Sequence, residues 1–255
     1  MNGRSTVSDP KPLVTYTLTG VRKAVGRGVT DPEFGDIAAI IKQDGQESRA
    51  QIYSEYVAGR LAVMVGVTVA AGVLVVHAAG VRYASLKVAE VGFALADIEQ
   101  EHVDEVVARY PVEAANLAVF DVWIGNGDRA GNLRANLRES TDNLIIGLDH
   151  GGSLLSAGES IDAALQRMRR TDFPRGHLFA ERLDRRLADA MVERIARLSD
   201  EAIHDACVLG ETLGSVILPD QADLADALVW RRDHLKGIVY QTLFLPGQAV
   251  LQCPS

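Results

Sequence analysis

Two carboxylates and two amides in the middle of the chain form a set that suits metal-assisted phosphoryl transfer. Asp128 and Asp149 supply the carboxylates, and Asn132 and Asn136 supply the amides. In phosphoryl transfer one carboxylate orients the attacking hydroxyl, while a second carboxylate and an amide oxygen hold Mg²⁺ against the nucleotide phosphates. Magnesium prefers a few hard oxygen ligands and keeps several water molecules. These residue types therefore indicate a phosphotransferase site.

The elements that must position both carboxylates are two short strands. The sequence predicts a hairpin with strands over residues 135–138 and 144–148, joined by a polar turn over residues 139–143. Asp128 lies on the loop before this hairpin, and Asp149 follows its second strand directly. Because the two ends of a hairpin lie side by side, we expect both carboxylates at the same end of it.

The same region contains motifs that resemble those of a known enzyme family. The motifs are Asp128 with Arg129, Asn136 in a strand, and the run Leu-Asp-His-Gly over residues 148–151. They resemble the catalytic and metal-binding loops of protein-kinase-like enzymes, and most closely those of the HipA-like kinase family. This resemblance implies ATP and Mg²⁺ as cofactors, Asp128 and Arg129 as catalytic residues, and Asp149 as a metal ligand.

The amide that completes the metal site has two candidates. Kinases usually place an asparagine five positions after the catalytic aspartate, where this chain has Leu133. The separation of Asn136 from Asp149 matches the usual run between the two metal ligands, and the predicted strand register favours Asn136. The length of the loop after Asp128 favours Asn132 instead. Both asparagines therefore remain candidates for the magnesium ligand.

The resemblance also implies residues upstream that contact the nucleotide. It requires a lysine on the third strand of the small lobe and a glutamate on the helix that follows, and Lys42 and Glu55 fit those positions. The phosphate loop is irregular. Gly26 and Gly28 are the candidates there for binding phosphate through backbone amides.

The secondary-structure pattern changes character near Gly92. Before it, strands are predicted over residues 13–19, 37–42, 73–77 and 83–91, with one helix over residues 51–65. After it, helices are predicted over residues 98–109, 112–124, 161–168, 179–198 and 224–239. The resemblance and this pattern agree on an α+β, two-lobed protein-kinase-like fold. Its small antiparallel-sheet N-lobe spans residues 1–91, and its mainly helical C-lobe spans residues 92–255.

Composition excludes several other classes of protein. The chain has 26 basic and 34 acidic residues, which is not the charge balance of a nucleic-acid-binding surface. Its only cysteines, Cys207 and Cys253, have no metal-type spacing, and no export signal is visible, so we expect a cytoplasmic protein. The uncharged run over residues 61–76 is shorter than the roughly 20 residues of a membrane-spanning helix.

The sequence says less about the identity of the phosphoryl acceptor than about the identity of the phosphoryl donor. The resemblance implies a serine or threonine of a protein, so we expect a serine/threonine kinase. The alternatives are a small-molecule or lipid kinase, and a nucleotide-binding pseudokinase that works as an interaction module. The arginines at 167, 169 and 170 are typical of a solvated face, yet they also suit an acidic or phosphorylated substrate.

Overall fold

The computed structural model describes residues 14–22, 33–46, 48–78, 80–88, 95–138, 144–156 and 160–245. Within these ranges the chain forms three small antiparallel sheets and seven α-helices. This confirms the α+β composition that the sequence predicts. Gly26 and Gly28, the predicted lobe boundary at Gly92 and the predicted turn over residues 139–143 lie outside the described residues.

Two of the sheets come from the first part of the chain. β1 (Leu18–Arg22) pairs with β2 (Phe34–Ile37). β3 (Ala39–Lys42), β4 (Gly72–His77) and β5 (Gly80–Leu86) form the second sheet, in which β5 lies between the other two. Valine and isoleucine are frequent in β3 and β4, as expected because β-branched side chains pack well on a pleated surface. The strand predicted over residues 37–42 is divided at Ala38 between β2 and β3.

One helix, α1 (Gln51–Val65), lies between β3 and β4 with the bounds that the sequence predicts. Its first turn is fixed by Asp44, whose Oδ1 accepts a hydrogen bond from the Ile52 N–H at 3.0 Å. It ends at Gly66, which has a left-handed φ of 69° and suits a helix terminus because glycine has no Cβ. Tyr53 on α1 is fully buried, and its hydroxyl donates to the Cys207 carbonyl at 2.8 Å.

The third sheet contains the hairpin predicted from the sequence. β7 (Leu133–Asn136) pairs with β8 (Ile145–Gly147), and β6 (Leu95–Asp97) pairs with the other edge of β7. The hairpin is confirmed, with β7 beginning two residues earlier than predicted. The short strand β6 has only three residues and no alternation of its own, so its pairing with β7 could not be predicted from local pattern.

The rest of the chain is mainly helical. Its helices are α2 (Val103–Arg109), α3 (Pro111–Ile124), α4 (Ile161–Met168), α5 (Arg185–Ala196), α6 (Asp200–Cys207) and α7 (Leu218–Val239). Residues 117–124 of α3 are all buried, and α3 packs against α5 and α7 at the centre of the core. Among the described residues, no helix is long and apolar enough to cross a membrane.

A buried arginine joins three of these segments. Arg231 on α7 is fully buried, and its guanidinium donates only to backbone carbonyls at 2.5 to 3.0 Å. These carbonyls belong to Val122, Trp123, Met168, Arg170 and Phe173. Burial lowers the pKa of Arg231 to about 10, so the group remains charged at neutral pH. Arg231 therefore holds the end of α3, the end of α4 and the segment after α4 together through hydrogen bonds from one guanidinium.

Removing this arginine is expected to destabilise the protein. Arg231→Met leaves five backbone carbonyls without this donor, three of them in fully buried contacts, and each unsatisfied buried group costs about 1–3 kcal/mol. We expect the free energy of unfolding to fall by about 3 kcal/mol or more. Arg186→Met, on the exposed side of α5, is the matched control and should change it by about 0.5 kcal/mol or less. Urea denaturation measures both, and equal midpoints for the two variants would contradict the expectation.

Candidate functional site

Three distant segments of the chain meet at the ammonium group of Lys42. Lys42 is the last residue of β3, and its Nζ contacts Oε1 of Glu55, which lies in the second turn of α1. The same Nζ lies 2.6 Å from Oδ1 of Asp149, just after β8. The side chains of Lys42 and Glu55 are 10% and 3% exposed, whereas that of Asp149 is 40% exposed. The pair implied by the resemblance is formed, and Asp149 joins it.

The two carboxylates of this cluster differ in their affinity for protons. Burial raises the pKa of Glu55 to about 7 against the effect of Lys42, and the neighbouring Asp149 adds to the rise. Burial also acts to raise the pKa of Asp149, but hydrogen bonds with Lys42 and Glu55 outweigh it and lower that pKa to about 2. Asp149 therefore carries an ionised, partly exposed carboxylate at neutral pH, which is the state that a metal ion requires of a ligand.

The backbone around Asp149 is held in an unusual conformation. Asp149 has a φ of 42°, which non-glycine residues rarely adopt. The Gly151 N–H donates to Asp149 Oδ1 at 3.0 Å, and the His150 N–H donates to Glu55 Oε1 at 3.1 Å. A Cβ at Gly151 would lie 2.7 Å from Gln51 Nε2 and 3.0 Å from Asp149 Oδ1, so a side chain there would require these groups to shift. These contacts fix the carboxylates of Asp149 and Glu55 relative to each other.

The side chain of His150 lies in the interior. Its ring is buried and packs edge to face against Phe120, with 6.1 Å between ring centres. Burial, together with the charge of Arg129, lowers the pKa of His150 to about 3, so the ring is neutral. The side chain of His150 is therefore part of the packed interior.

Asp128 lies beside the loop that carries Asp149. Its side chain is exposed, and its Cβ is 3.6 Å from where a Cβ at Gly152 would stand. The buried side chain of Asn126 accepts a hydrogen bond from the Asp128 N–H at 3.1 Å, which fixes the backbone there. Asn132 Nδ2 donates to the Asp128 carbonyl at 2.9 Å. The structure therefore brings the loops of Asp128 and Asp149 together at one end of the hairpin, as the sequence predicts.

Arg129 does not face the same space as Asp128. Its guanidinium is buried and forms a two-point ion pair with Asp121 on α3, at 2.8 and 2.6 Å. Its third nitrogen, Nη1, donates to the carbonyls of Asn132 at 2.7 Å and Leu148 at 2.5 Å. Arg129 thereby connects the loop of Asp128 to the two strands that flank it. This placement fits a positioning residue and not the catalytic contact that the resemblance implies.

Asp121 is a buried residue that supports the candidate site, and the sequence pattern did not lead us to predict this role. Besides Arg129, it accepts hydrogen bonds from Asn126 Nδ2 at 2.9 Å and from His177 Nε2 at 3.2 Å. The Phe179 N–H donates to His177 Nδ1 at 3.2 Å, so the neutral ring carries its proton on Nε2. Burial opposes ionisation of Asp121, but Arg129 and His177 hold its pKa well below the usual range. A carboxylate within the apolar run of α3 was the signal that could have identified it.

The strand register separates the two candidate asparagines. Leu133 lies opposite Gly147 in the β7–β8 pair, so the end of β7 that carries Asn132 is the end next to Asp149. The Asn132 carbonyl accepts a hydrogen bond from the Leu148 N–H at 2.9 Å. Asn136 lies at the turn end, about 13 Å further along at the usual rise of a strand. The register thus favours Asn132, contrary to the sequence argument for Asn136.

Asn136 has contacts of its own at that distant end. Its buried Oδ1 accepts a hydrogen bond from the Arg138 N–H at 3.0 Å, and its carbonyl accepts one from the Tyr110 hydroxyl at 2.6 Å. These contacts secure the strand end and the approach to the turn. The prediction of Asn136 as a magnesium ligand therefore has no support in this geometry.

The available side-chain oxygens suit a metal ion that takes only some of its ligands from the protein. Within the described ranges, no group of three or more His, Cys, Asp or Glu side chains is arranged to hold a metal ion. Asp149, which belongs to the cluster with Lys42 and Glu55, and Asn132 together offer one carboxylate and one amide oxygen. Magnesium is often held by one or two protein oxygens, with phosphate and water completing its octahedron. The residues present fit that pattern.

Comparison with known proteins shows the fold but no sequence match. No protein-family model and no curated protein matches this chain. The chain is similar in structure to the proinflammatory kinase CtkA of Helicobacter pylori, with 15% identity and a TM-score of 0.58 over 92% of this chain and 100% of that one. It is also similar to a Shewanella oneidensis MR-1 structure of the toxin–antitoxin system HipA, HipB and its operator DNA. That match has 14% identity and a TM-score of 0.55, over 92% of this chain and 67% of that one. The chain therefore has the fold of the HipA-like kinases.

Proposed function

We propose that this chain is an ATP- and Mg²⁺-dependent phosphotransferase that acts on an alcohol group. The meeting of Lys42, Glu55 and Asp149 is the observation that carries the proposal. Phosphoryl transfer in kinases requires a lysine that is oriented by a helix glutamate and lies beside a metal-binding carboxylate. A fold shared with kinases supports the same activity.

In this proposal each residue has one task. Lys42 binds the phosphates of ATP, and Glu55 holds its ammonium in place. Asp149 and Asn132 hold Mg²⁺, which when bound neutralises charge on the phosphate oxygens. Asp128 orients the acceptor hydroxyl and takes up its proton. Arg129 connects the loops that carry these groups and touches neither nucleotide nor acceptor.

We further propose that ATP binds between an N-lobe of residues 1–91 and a C-lobe of residues 92–255. Lys42 and Glu55 belong to the first, and Asp149 and His150 belong to the second, so the contacts of Lys42 with Asp149 and of Glu55 with the His150 N–H support a site at the junction. Gly26 and Gly28 stay candidates for phosphate binding through their backbone amides. Two acceptors are candidates, namely the hydroxyl of a serine or threonine of a protein, which the resemblance implies, and the hydroxyl of a small molecule.

The proposal is tested with labelled ATP and the whole chain. We expect nucleotide binding that depends on Mg²⁺, followed by transfer of label to the protein itself, to an added protein or to a small alcohol. Binding without any transfer would favour a pseudokinase that works as an interaction module. A chain that binds no nucleotide at any Mg²⁺ concentration would refute the kinase interpretation as a whole.

Substitution of the two asparagines is expected to separate their roles. Asn132→Ala should weaken Mg²⁺-dependent ATP binding about tenfold or more, because an oxygen ligand to a charged centre is lost. Asn136→Ala is the matched control and should leave the affinity of the folded protein within about twofold. Titration of Mg²⁺ at fixed nucleotide measures both, with thermal melting to confirm folding. A larger loss in Asn136→Ala would return the ligand role to that residue.

A further inference from the structure

A cavity adjoins the loop of Asp128 on the side of α4. It has a volume of about 460 Å³ and lies between the end of α4, the segment that follows it, and Gly127. We call it the arginine pocket, because its lining includes Arg167, Arg170 and Arg175 together with Asp172 and Pro174. Volumes of a few hundred Å³ are typical of sites for small molecules. The arginine pocket is therefore large enough for a small ligand.

The charges around the arginine pocket are mainly positive. Asp172 is its acidic member, and it pairs with Arg170 at 2.8 and 2.7 Å and with Arg175 at 2.5 Å. These hydrogen bonds hold the pKa of Asp172 well below its usual range, so it stays ionised and balances one of the three arginines. Two positive charges remain in a chain whose formal net charge is −8. The arginine pocket therefore attracts anions locally.

Arg167 distinguishes this pocket from an ordinary solvated run of arginines. Its Nε and Nη2 atoms are buried, and neither has a hydrogen-bond partner among the residues that the structure describes. Buried donors of a charged group are costly when they are unsatisfied. The planar fork of a guanidinium matches the geometry of phosphate oxygens and binds them at two points. Arg167 is therefore suited to receive a phosphate group.

The arginine pocket is fixed in place next to Asp128. A Cβ at Gly127 would lie 3.5 Å from Pro174 Cβ, so the segment after α4 packs directly against the loop of Asp128. Arg231 holds the other side, because it donates to the carbonyls of Met168, Arg170 and Phe173 at 2.9 to 3.0 Å. A ligand in this pocket would have its neighbouring groups at the residue proposed to activate the acceptor hydroxyl.

We propose that the arginine pocket binds the phosphate group of a small phosphate monoester, and that this monoester is the acceptor of the reaction. Arg167 supplies its guanidinium to the phosphate, and Arg170 and Arg175 add positive charge. The hydroxyl of the same molecule then lies at Asp128. The binding of phosphate stands on the pocket alone, whereas the identity of the acceptor rests on the proposed phosphotransferase function.

Binding is tested first, without nucleotide or Mg²⁺, by calorimetric titration of inorganic phosphate and of glycerol phosphate into the whole chain. We expect both to bind the wild type, and Arg167→Gln to weaken binding about tenfold or more. Arg169→Gln is the matched control, since it removes the same charge from an exposed residue outside the lining, and should stay within about twofold. Arg167→Lys, which keeps the charge and loses the fork, should retain only part of the affinity. Equal affinities in all four proteins would overturn the assignment.

Further measurements test phosphate binding in the arginine pocket separately from the proposed phosphotransferase activity. If the wild type transfers phosphoryl groups, Arg167→Gln should raise the KM for glycerol phosphate about tenfold or more with little change in kcat. A wild type that binds Mg²⁺ and ATP but no phosphate monoester would overturn this inference and leave the proposed function standing. Phosphate binding without ATP binding would leave the phosphate site standing. It would overturn the proposed function and, with it, the role of the monoester as acceptor. Binding of a phosphoserine peptide in preference to glycerol phosphate would overturn the choice of a small acceptor.

Discussion

Asp149→Asn is expected to lower phosphoryl transfer by about a hundredfold to a thousandfold and to remove most of the Mg²⁺ dependence of ATP binding. The substitution keeps the shape of the side chain but removes the negative charge that a metal ion requires. Asp149 is ionised at neutral pH because its pKa is about 2, and its partial exposure leaves it accessible to a metal. No neighbouring group replaces that charge, since Glu55 is almost completely buried against Lys42.

The measurement is ATP affinity as a function of Mg²⁺ concentration, followed by a transfer assay at saturating nucleotide. Asp223→Asn is a matched control, because it makes the same chemical change on the exposed face of α7. It should leave affinity and rate within about twofold. If Asp149→Asn behaves like this control, the assignment of Asp149 as the metal ligand is wrong.

Asp128→Asn should also stop transfer, but through a different step. Loss of a group that takes up a proton in the transition state lowers rates by about 10²–10⁴-fold. The backbone of residue 128 is held by Asn126 and by Asn132, and the Asp128 carboxylate accepts a long hydrogen bond from Asn132 Nδ2 at 3.4 Å that the amide oxygen of the variant can also accept. We therefore expect the variant to retain the geometry of the loop and to bind Mg²⁺ and ATP within about twofold of the wild type.

A single-turnover experiment distinguishes the two aspartates. Enzyme is first loaded with labelled ATP and Mg²⁺, and the acceptor is added afterwards. Asp128→Asn should load normally and transfer slowly, whereas Asp149→Asn should fail at loading. Normal loading by Asp149→Asn with failed loading by Asp128→Asn would mean that the two roles are exchanged.

A buried hydrogen-bond network centred on Asp121 explains how the exposed residue Asp128 is held in one position. Asp121 binds Arg129, Asn126 and His177, and Arg129 extends this network to the carbonyls on both sides of the hairpin end. Asp128 is thus positioned through its backbone, which leaves its carboxylate available. A positioning network of this kind is a common requirement for side chains that must meet a substrate in one geometry.

Local pattern in the sequence was sufficient for the elements with strong periodicity or clear termini. The bounds of α1 and α4 agree with prediction at both ends, because Gly66 ends the first and Ser160 caps the second. The hairpin of β7 and β8 was also identified, and with it the joint position of Asp128 and Asp149. The strand β6 and the helix α6 were missed, since three residues and eight residues carry too little periodicity to predict.

The sequence by itself determined the residue types of the candidate site, and its resemblance to kinases implied the pairing of Lys42 with Glu55. Only the tertiary structure placed Asn132, and not Asn136, at the hairpin end next to Asp149, because β7 begins two residues earlier than the local pattern predicts. It also decided that Arg129 binds Asp121 and that Asp149 joins Lys42. Such contacts connect positions far apart in the chain. Their formation depends on how the helices and sheets pack, which local preferences do not specify.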